Sequence, residues 1–296
     1  MRIISDTTLF RAGDGERLAV AIGKFDGVHL GHKKLLKEIL AAKEDGFVPA
    51  VFTFDPDPMS LFTGRVIPQL TTRAEKRELL RNMGIEILIE FPMTKETAAI
   101  PPEQFVSEYL ADRLHAGFVA AGTDLSFGYK GRGDYKLLKA MSAGCGFETC
   151  CIDKVMSGHR EISSTYIREE LEQGRIGSAN ALMGRPYSIS GEVDSFPDNS
   201  SQDTASFVII PPADKLLPMR GSYISRVNMN GETVIPETET VVGEKIMTKR
   251  TVPLSTSSNG KCLVITAKNK DQQERICGKT ATVELLGSSG QEMPDK

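Results

Sequence analysis

The order of apolar and polar positions divides the chain into two parts of different texture. From Leu18 to Ile152, short continuous apolar runs alternate with amphipathic stretches. Continuous apolar runs are typical of strands buried on both faces of a sheet, and amphipathic stretches are typical of the helices that cover it. The predicted strands are Leu18–Ile22, Pro49–Phe54, Ile85–Phe91, Phe118–Ala121 and Phe147–Ile152. Strands separated by helices predict an α/β fold with a doubly wound parallel sheet.

Two of the intervening stretches carry clear helix-start signals. Thr72 followed by Glu75 forms a capping-box pattern, and Pro101-Pro102 is a favourable entry into a helix. Because the strands of a doubly wound sheet bind their ligands at the carboxyl ends, we expect the functional residues in the segments that follow the strands.

After about Met183 the pattern changes to β-like runs joined by polar connections, with little helical periodicity. We expect these runs to form a closed or nearly closed barrel, because an open sheet leaves unpaired edges. The predicted strands are Ser188–Val193, Ser206–Ile210, Ser222–Val227, Glu244–Met247, Leu263–Ala267 and Thr280–Leu286. The sequence thus predicts an α/β domain over residues 1–183 and a smaller all-β domain over residues 184–296.

Length and composition agree with two domains and exclude several classes of protein. The chain has 296 residues, and 36 Lys and Arg against 39 Asp and Glu give a net charge of −3. This balance argues against a nucleic-acid-binding protein. No apolar run reaches the ~18 residues of a membrane span, and the start of the chain lacks a signal-peptide pattern. We therefore expect a cytoplasmic protein that acts on small molecules without a membrane or nucleic-acid partner; the sequence does not determine its oligomeric state.

The first candidate for chemistry is the glycine-bearing segment Gly23–His32, which follows the first predicted strand and opens onto a helix. His29 and His32 flank Gly31 in this segment. The unpaired N–H groups of a helix start favour an anion, Gly31 leaves room for a phosphate, and imidazoles can donate hydrogen bonds to oxygens that gain charge in group transfer. The alternative is an ordinary helix start with two incidental histidines. A zinc site is not indicated, since no third ligand lies nearby.

The second candidate is Ile162–Arg168, with three hydroxyl residues at the start of a predicted helix. Ser163 or Ser164 could simply cap the helix. Arg168 lies one turn further on and can point back to the same end, so hydroxyls, backbone donors and a guanidinium could converge on one polyphosphate.

Together, His29-x-Gly31-His32 and Ile162–Arg168 resemble the paired signatures of nucleotidyltransferases. The wider Gly23–His32 pattern, G-x-F-D-G-x-H-x-G-H, resembles the FAD synthetase branch, which usually forms the front half of bacterial bifunctional riboflavin kinase/FMN adenylyltransferases. Further segments agree over roughly the first 190 residues: Thr53–Pro58 is similar to the family's flavin-side turn, Gly122–Asp134 to its G-x-D-x-x-F-G segment, and Leu182–Tyr187 to its inter-domain junction.

The resemblance implies an ATP:FMN adenylyltransferase with ATP and FMN as substrates and Mg²⁺ on the polyphosphate. It implies that His29 and His32 hold the α-phosphoryl region and that Ser164, Thr165 and Arg168 hold the β- and γ-phosphates. The remaining implied nucleotide-binding residues are Gly23, Phe25, Asp26, Gly31 and Ser163. The implied flavin-binding residues are Phe54, Pro56, Pro58, Asp124, Phe127, Gly128 and Lys130.

The chain departs from the family pattern at three places. The family commonly has Asn where this chain has Lys24, His where it has Asp57, and Phe-Arg where it has Leu125-Ser126. The first two lie in the histidine-bearing and flavin-side segments, respectively.

The all-β half resembles a riboflavin kinase that has lost its family marks. The P-T-A-N segment expected after Gly191-Glu192-Val193 is missing, and β-like sequence replaces the expected C-terminal helix. Phosphoryl transfer depends on positioning and charge stabilisation, so we expect the barrel to persist without kinase activity. The alternatives are the full bifunctional riboflavin kinase/FAD synthetase, a non-catalytic flavin or nucleotide sensor, and a relative that acts on another phosphate acceptor.

Overall fold

A computed structural model describes residues 1–195, 205–244, 261–267 and 278–289. The described chain forms two compact units. The first unit comprises Met1–Ile67 and Arg73–Ile162, and the second comprises Pro68–Thr72 and the chain from Ser163 onward. The predicted boundary after Met183 separates the transferase part from the barrel part, whereas these units are defined by compactness alone. That boundary therefore stays a prediction.

The first unit is built on a parallel sheet of six strands, which confirms the predicted α/β class. The order across the sheet is β1-β4-β3-β2-β5-β6. The strands are β1 Arg2–Ser5, β2 Leu18–Ile22, β3 Val48–Asp55, β4 Ile87–Pro92, β5 Ala116–Gly122 and β6 Glu148–Ile152. A two-stranded ribbon follows, with β7 Met156–Ser157 and β8 Arg160–Glu161. The pattern missed β1, because this short edge strand is partly exposed and lacks a continuous apolar run.

Helices connect the strands of the first unit and open the second. They are α1 Leu30–Ala41, α2 Pro58–Thr63, α3 Arg73–Asn82, α4 Pro102–Gln104, α5 Tyr135–Ser142, α6 Ser164–Glu172 and α7 Ile176–Met183. A π-helical segment, Phe105–Arg113, continues α4, and single 3₁₀ turns occupy Ala42–Asp45, Thr97–Ala99 and Tyr129–Gly131. Within the described ranges, none of these helices has the length and apolar character needed to cross a bilayer.

The strand order places a crevice at the carboxyl ends of β2 and β5. The chain runs outward from β2 through β3 and β4 on one side, and then returns to pair β5 with the other side of β2. Connections that leave in opposite directions open a crevice between adjacent strand ends, which is where such sheets bind ligands. The histidine-bearing segment follows β2 and the Gly122–Asp134 segment follows β5, so both begin at this crevice.

Apolar clusters on both faces fix the sheet. On one face, Phe52 contacts the rings of Phe10, Phe91 and Phe105 at centroid distances of 5.2–6.3 Å. On the other face, Leu36 and Ile39 of α1 are completely buried in a separate cluster. Because both faces are covered, the ends of the strands are held rigidly and can support a site.

The second unit contains a closed antiparallel barrel, as predicted, with the order β10-β13-β12-β11-β14-β9. Its strands are β9 Tyr187–Ser195, β10 Ala205–Ile210, β11 Gly221–Met229, β12 Glu232–Glu244, β13 Lys261–Ala267 and β14 Thr280–Ser288. Of the predicted strand Glu244–Met247, Glu244 is the last described residue of β12, and residues 245–247 lie outside the described part. The pattern missed the body of β12 because it contains Pro236. The register between β11 and β12 shifts between Ser225 and Val227, opposite this proline, and an irregularity of this kind is where a strand accommodates proline.

The second unit also includes a short segment that lies between α2 and α3 in the sequence. Gln69 donates its N–H to the carbonyl of Asp214 at 2.6 Å and accepts from Leu216 N at 2.8 Å. The buried Lys215 donates from Nζ to the carbonyl of Leu70 at 2.6 Å and lies 4.5 Å from the ring centroid of Tyr187. Residues 68–72 are thus part of the hydrogen-bonded framework of the second unit.

We expect Gly191→Ala to destabilise the barrel. A methyl group at Gly191 would lie 2.4 Å from the carbonyl oxygen of Ile210 on the neighbouring strand, and overpacking of this kind costs about 1–3 kcal/mol. Gly177→Ala in α7 is the matched control: its methyl group would meet no atom of the described residues within 4 Å, and the change should raise the free energy of unfolding by about 0.5–1 kcal/mol. Urea unfolding followed by circular dichroism measures both; equal stability of the two variants would contradict the barrel packing.

Candidate active site

The turn between β2 and α1 has an unusual backbone conformation. Phe25 and Val28 have φ values of 51° and 40°, a region that side chains with a Cβ rarely adopt. Both side chains are completely or almost completely buried, so packing maintains the conformation. Strained backbone persists where the surroundings over-determine it, and such positions cluster at functional sites.

His29 and His32 lie against each other at the start of α1. Their rings are stacked with centroids 3.7 Å apart. His29 is the N-cap residue, and its Nδ1 accepts a hydrogen bond from the backbone N–H of His32 at 3.4 Å. A Cβ at Gly31 would lie 3.1 Å from the ring of His29. The glycine between the histidines therefore gives the His29 ring room to reach its capping position.

The structure favours the neutral form of both imidazoles. Burial lowers the pKa of His29 to about 4, although the carboxylates of Asp26 and Asp124 act in the opposite direction. The pKa of His32 is also lowered, by burial first and then by His29 and the positive charge of Lys76. The free protein therefore presents both histidines as neutral side chains rather than as cations.

A neutral imidazole can still serve a phosphate as an N–H donor. Because Nδ1 of His29 accepts a hydrogen bond, its single ring proton lies on Nε2 in the neutral form. The Nδ1 atom of His32 is buried and has no hydrogen-bond partner in the described part of the chain. A buried polar atom without a partner is costly, and it marks His32 as a side chain that a ligand can complete.

Two side chains that were not among the predicted site residues, Thr53 and Lys76, form hydrogen bonds that support this turn. The carbonyl oxygen of Lys24 accepts hydrogen bonds from Thr53 Oγ1 at 3.0 Å and from Lys76 Nζ at 3.1 Å. Burial lowers the pKa of Lys76, while Asp26, Asp55, Glu90 and Asp57 oppose that shift. No local motif could have indicated Lys76, because it lies in α3, 52 residues from its partner.

A buried carboxylate holds the helix that carries Lys76. Glu90, at the end of β4, is 2% exposed and accepts hydrogen bonds from Arg73 Nε and Arg77 Nε, both at 2.9 Å. Arg73 also forms an ion pair with Asp55 at 3.1 Å, next to the flavin-side turn. Burial by itself raises the pKa of Glu90, but hydrogen bonds from both arginines lower it overall. The network ties α3 to the ends of β3 and β4.

The predicted flavin-side residues lie at the end of β3. Phe54 is half-buried and packs 5.8 Å from the ring of Phe52. Pro56 is exposed, and Pro58 opens α2. Asp57 caps this short helix by accepting from the N–H of Met59 at 2.8 Å.

The segment after β5 divides into an exposed and a buried part. Asp124 forms an ion pair with Lys154 at 3.6 Å and lies near enough to His29 to affect its pKa. Phe127 is buried in the core, 5.3 Å from the ring of Phe105. Gly128 has a positive φ of 68°, and a Cβ there would lie 2.6 Å from Pro102. Lys130 has a φ of 54° and lies 5.2 Å from the ring centroid of Tyr129.

The second sequence signature belongs to the second unit. Ser163 caps α6 by accepting from the N–H of Tyr166 at 3.2 Å, which is the structural role that the sequence left open. Ser164 and Thr165 form the first turn of α6. Arg168 donates from Nη2 to the carbonyl of Pro68 at 3.0 Å.

Within the first unit, the predicted nucleotide-binding turn after β2 and the predicted flavin-binding residue Asp124 follow neighbouring strands, whereas Phe127 lies in the core. The turn that carries Gly23, Phe25 and Asp26 follows β2, and Asp124 follows the neighbouring strand β5. The carboxylates of Asp26 and Asp124 both oppose the lowering of the His29 pKa. Phe127 differs, because its ring is enclosed by apolar core residues. The assignment of the individual side chains to nucleotide and flavin stays a prediction.

Comparisons with known proteins agree on one family. A sequence profile of FAD synthetases matches residues 12–166. The bifunctional riboflavin kinase/FMN adenylyltransferase of Listeria monocytogenes is 34% identical over 220 residues, covering 72% of this chain and 69% of that protein. The Escherichia coli protein of the same name is 31% identical over 226 residues, covering 75% and 71%. A protein of L. monocytogenes named FAD synthetase is 32% identical over 194 residues, covering 64% and 78%.

A solved structure matches the fold over nearly the whole chain. The crystal structure of a protein described as a macrolide-efflux protein from Streptococcus pneumoniae aligns with a TM-score of 0.76 and 23% identity, covering 96% of this chain and 89% of that one. At this identity the likeness establishes the fold alone.

We expect the burial of His29 to make the protein less stable in mild acid. Its pKa is lowered from 6.5 to about 4 on folding, so between these values the unfolded chain binds a proton that the folded chain excludes. The contribution of neutral His29 to the free energy of unfolding is fully present above pH 6.5 and is lost as the pH falls towards 4. His29→Gln should make this decline shallower by up to about 1.4 kcal/mol per pH unit. Urea unfolding at a series of pH values measures the slope.

The control for this prediction is His159→Gln, which changes an exposed histidine and should keep the wild-type slope. An unchanged slope in His29→Gln would show that the histidine is not held neutral by the fold.

Proposed function

The chain belongs to the FAD synthetase family, and we propose that it transfers the AMP group of ATP to FMN, giving FAD and pyrophosphate. It is a nucleotidyltransferase by family. The observation that carries the specific proposal is the stacked pair His29 and His32 at the start of α1, where the buried Nδ1 of His32 has no hydrogen-bond partner among the residues that the structure describes. Such a site suits a phosphate group that brings its own negative charge.

The proposed reaction needs positioning and charge stabilisation rather than a covalent enzyme intermediate. A phosphate oxygen of FMN attacks the α-phosphorus of ATP in line, the bond to the bridging oxygen breaks, and pyrophosphate leaves. Both substrates supply their own reacting atoms, so the gain comes from holding them together. We propose that His29 and His32 donate hydrogen bonds to the α-phosphoryl and bridging oxygens as charge shifts onto the leaving group.

We propose that the second signature binds the same triphosphate, with Ser164, Thr165 and Arg168 on the β- and γ-phosphates. Chain continuity supports this assignment. Within the first unit, a Cβ at Gly31 would lie 3.6 Å from the carbonyl oxygen of Ile162, and Ile162 is bonded directly to Ser163. Ile162, the last residue of the first unit, thus lies beside the histidine turn within that unit, and the proposal for the hydroxyl residues rests on the sequence signature that begins at this residue.

Mg²⁺ is proposed as a companion of the triphosphate. The described residues contain no group of three His, Cys, Asp or Glu side chains that could hold a metal on their own. Mg²⁺ commonly binds substrate phosphates and water and needs only one or two carboxylates from the protein. Asp26 and Asp124, whose charges both reach His29, have the required donor chemistry. When bound, the ion would neutralise part of the polyphosphate charge.

For the barrel we propose that kinase activity is lost, with the transferase function confined to residues 1–183. The proposal rests on the missing P-T-A-N segment after Gly191-Glu192-Val193. The competing possibility is a bifunctional enzyme, since relatives with that name align with 72% and 75% of this chain, a longer stretch than residues 1–183.

We expect His32→Ala to reduce kcat for FAD formation from ATP and FMN by about 10²–10³. The fold should be retained, because the change removes a ring and no backbone contact. Chromatography of the flavins, together with a pyrophosphate assay, measures the rate, and His159→Ala serves as an exposed control. Wild-type turnover in His32→Ala would exclude the proposed role of the histidine.

For the barrel, the expected result is that riboflavin and Mg-ATP yield no FMN under conditions in which FMN and Mg-ATP yield FAD. Flavin chromatography distinguishes the three flavins directly. FMN formation at a rate comparable to FAD formation would establish the bifunctional alternative.

A further inference from the structure

Two of the positions at which this chain departs from its family are ion-paired with each other. Lys24 Nζ lies 3.5 Å from Asp57 Oδ2. Lys24 belongs to the turn after β2 that carries the histidines, and Asp57 belongs to the turn after β3 on the predicted flavin side. The ion pair therefore joins the two segments that would hold the two reacting substrates.

The backbone of Lys24 is held firmly, which limits where its side chain can reach. Thr53 Oγ1 and Lys76 Nζ both donate to its carbonyl oxygen. The next residue, Phe25, is completely buried and has a φ of 51°. Because the hydrogen bonds to its carbonyl oxygen and the burial of Phe25 fix the backbone of Lys24, its side chain extends from a fixed position towards Asp57.

The ammonium group retains capacity for a further anion. A distance of 3.5 Å to Asp57 is longer than the roughly 2.7–2.9 Å of a direct charge-assisted hydrogen bond. The other carboxylate oxygen of Asp57 already accepts from Met59 N at 2.8 Å. The Lys24 side chain is 51% exposed, so a ligand can approach it.

The chemistry of the proposed reaction places a phosphate close to this ammonium group. The acceptor phosphate must reach the α-phosphorus held at the histidines while the flavin ring lies on the side of Phe54. It must also approach the carboxylates of Asp55 and Asp57, which by themselves repel a dianion. A cation located between the two turns offsets that repulsion and gives the phosphate a fixed point of attachment.

We propose that Lys24 recognises the phosphate of the acceptor substrate and that Asp57 orients its ammonium group for this contact. This inference rests on the proposed function and adds a specificity residue to it. The competing interpretation is a purely structural link between two turns. Exposed ion pairs contribute little to stability, so the two interpretations differ mainly in the effect that they predict on substrate binding.

The test compares the phosphorylated acceptor with the same flavin lacking its phosphate. In steady-state FAD formation, KM for FMN reports the acceptor, Ki for riboflavin as a competitive inhibitor reports the ring alone, and KM for ATP reports the donor side. Lys24→Met should raise KM for FMN about 10- to 100-fold, the loss expected for one charged hydrogen bond. Ki for riboflavin and KM for ATP should stay within about twofold of wild type, a change well below the effect of losing one charged hydrogen bond.

Lys43→Met is the matched control, because Lys43 forms an exposed ion pair with Glu86 at 2.7 Å in the same unit. It should leave all three constants unchanged. Asp57→Asn keeps an oxygen to cap α2 but removes the charge, so it should raise KM for FMN in the wild-type background. In Lys24→Met it should not raise KM for FMN further, because the only electrostatic effect then left to remove is the repulsion between Asp57 and the phosphate. Independent, additive effects of the two changes would contradict the orienting role of Asp57.

The outcomes separate this inference from the proposed function. Absence of FAD formation by the wild-type protein overturns the proposed function, and the inference that rests on it. FAD formation by the wild type, with Lys24→Met leaving KM for FMN unchanged, overturns the inference alone. Equal increases in KM for FMN, Ki for riboflavin and KM for ATP would identify a structural link and also overturn it.

Discussion

The structure of the candidate site depends on one backbone oxygen, the carbonyl of Lys24. It is held by a hydroxyl from the adjacent strand and by a partly buried ammonium group from α3. The turn that follows contains two non-glycine residues with positive φ, a conformation that the chain adopts only where its surroundings leave no alternative. The buried Glu90 with its two arginines keeps α3 in place, and α3 in turn places Lys76. The position of the histidines after β2 therefore depends on contacts with residues of β3 and β4.

Keeping the histidines neutral has a consequence for the proposed chemistry. A pair of stacked imidazolium ions would repel each other, and burial together with the charge of Lys76 prevents this in the free protein. Neutral rings can donate single, directed hydrogen bonds, and Lys76 supplies a positive charge that acts on His32. Under the proposed function, orientation and charge would come from different residues, so that the donors are fixed before the substrate arrives.

The extent to which the sequence predicted this arrangement varied with the range of the interactions. β2 was predicted with its observed ends, because five consecutive buried apolar residues leave no ambiguity. The Ser163 cap and the start of α1 follow from local rules and were also accessible. The body of β12 was not predicted because Pro236 interrupts the strand pattern, and only the partner strand reveals the shift in register that accommodates it. Lys76, Thr53 and Glu90 were missed for a related reason: each acts on a residue distant in sequence, and side chains of these types are usually solvent-facing when judged by pattern alone.

The most direct test of the account is the stoichiometry of the wild-type reaction. Purified protein supplied with ATP, FMN and Mg²⁺ should form FAD and pyrophosphate in equal amounts, with no AMP or ADP released. Release of ADP or AMP without FAD, or pyrophosphate formation that does not depend on FMN, would contradict an adenylyl transfer to FMN at the histidine turn.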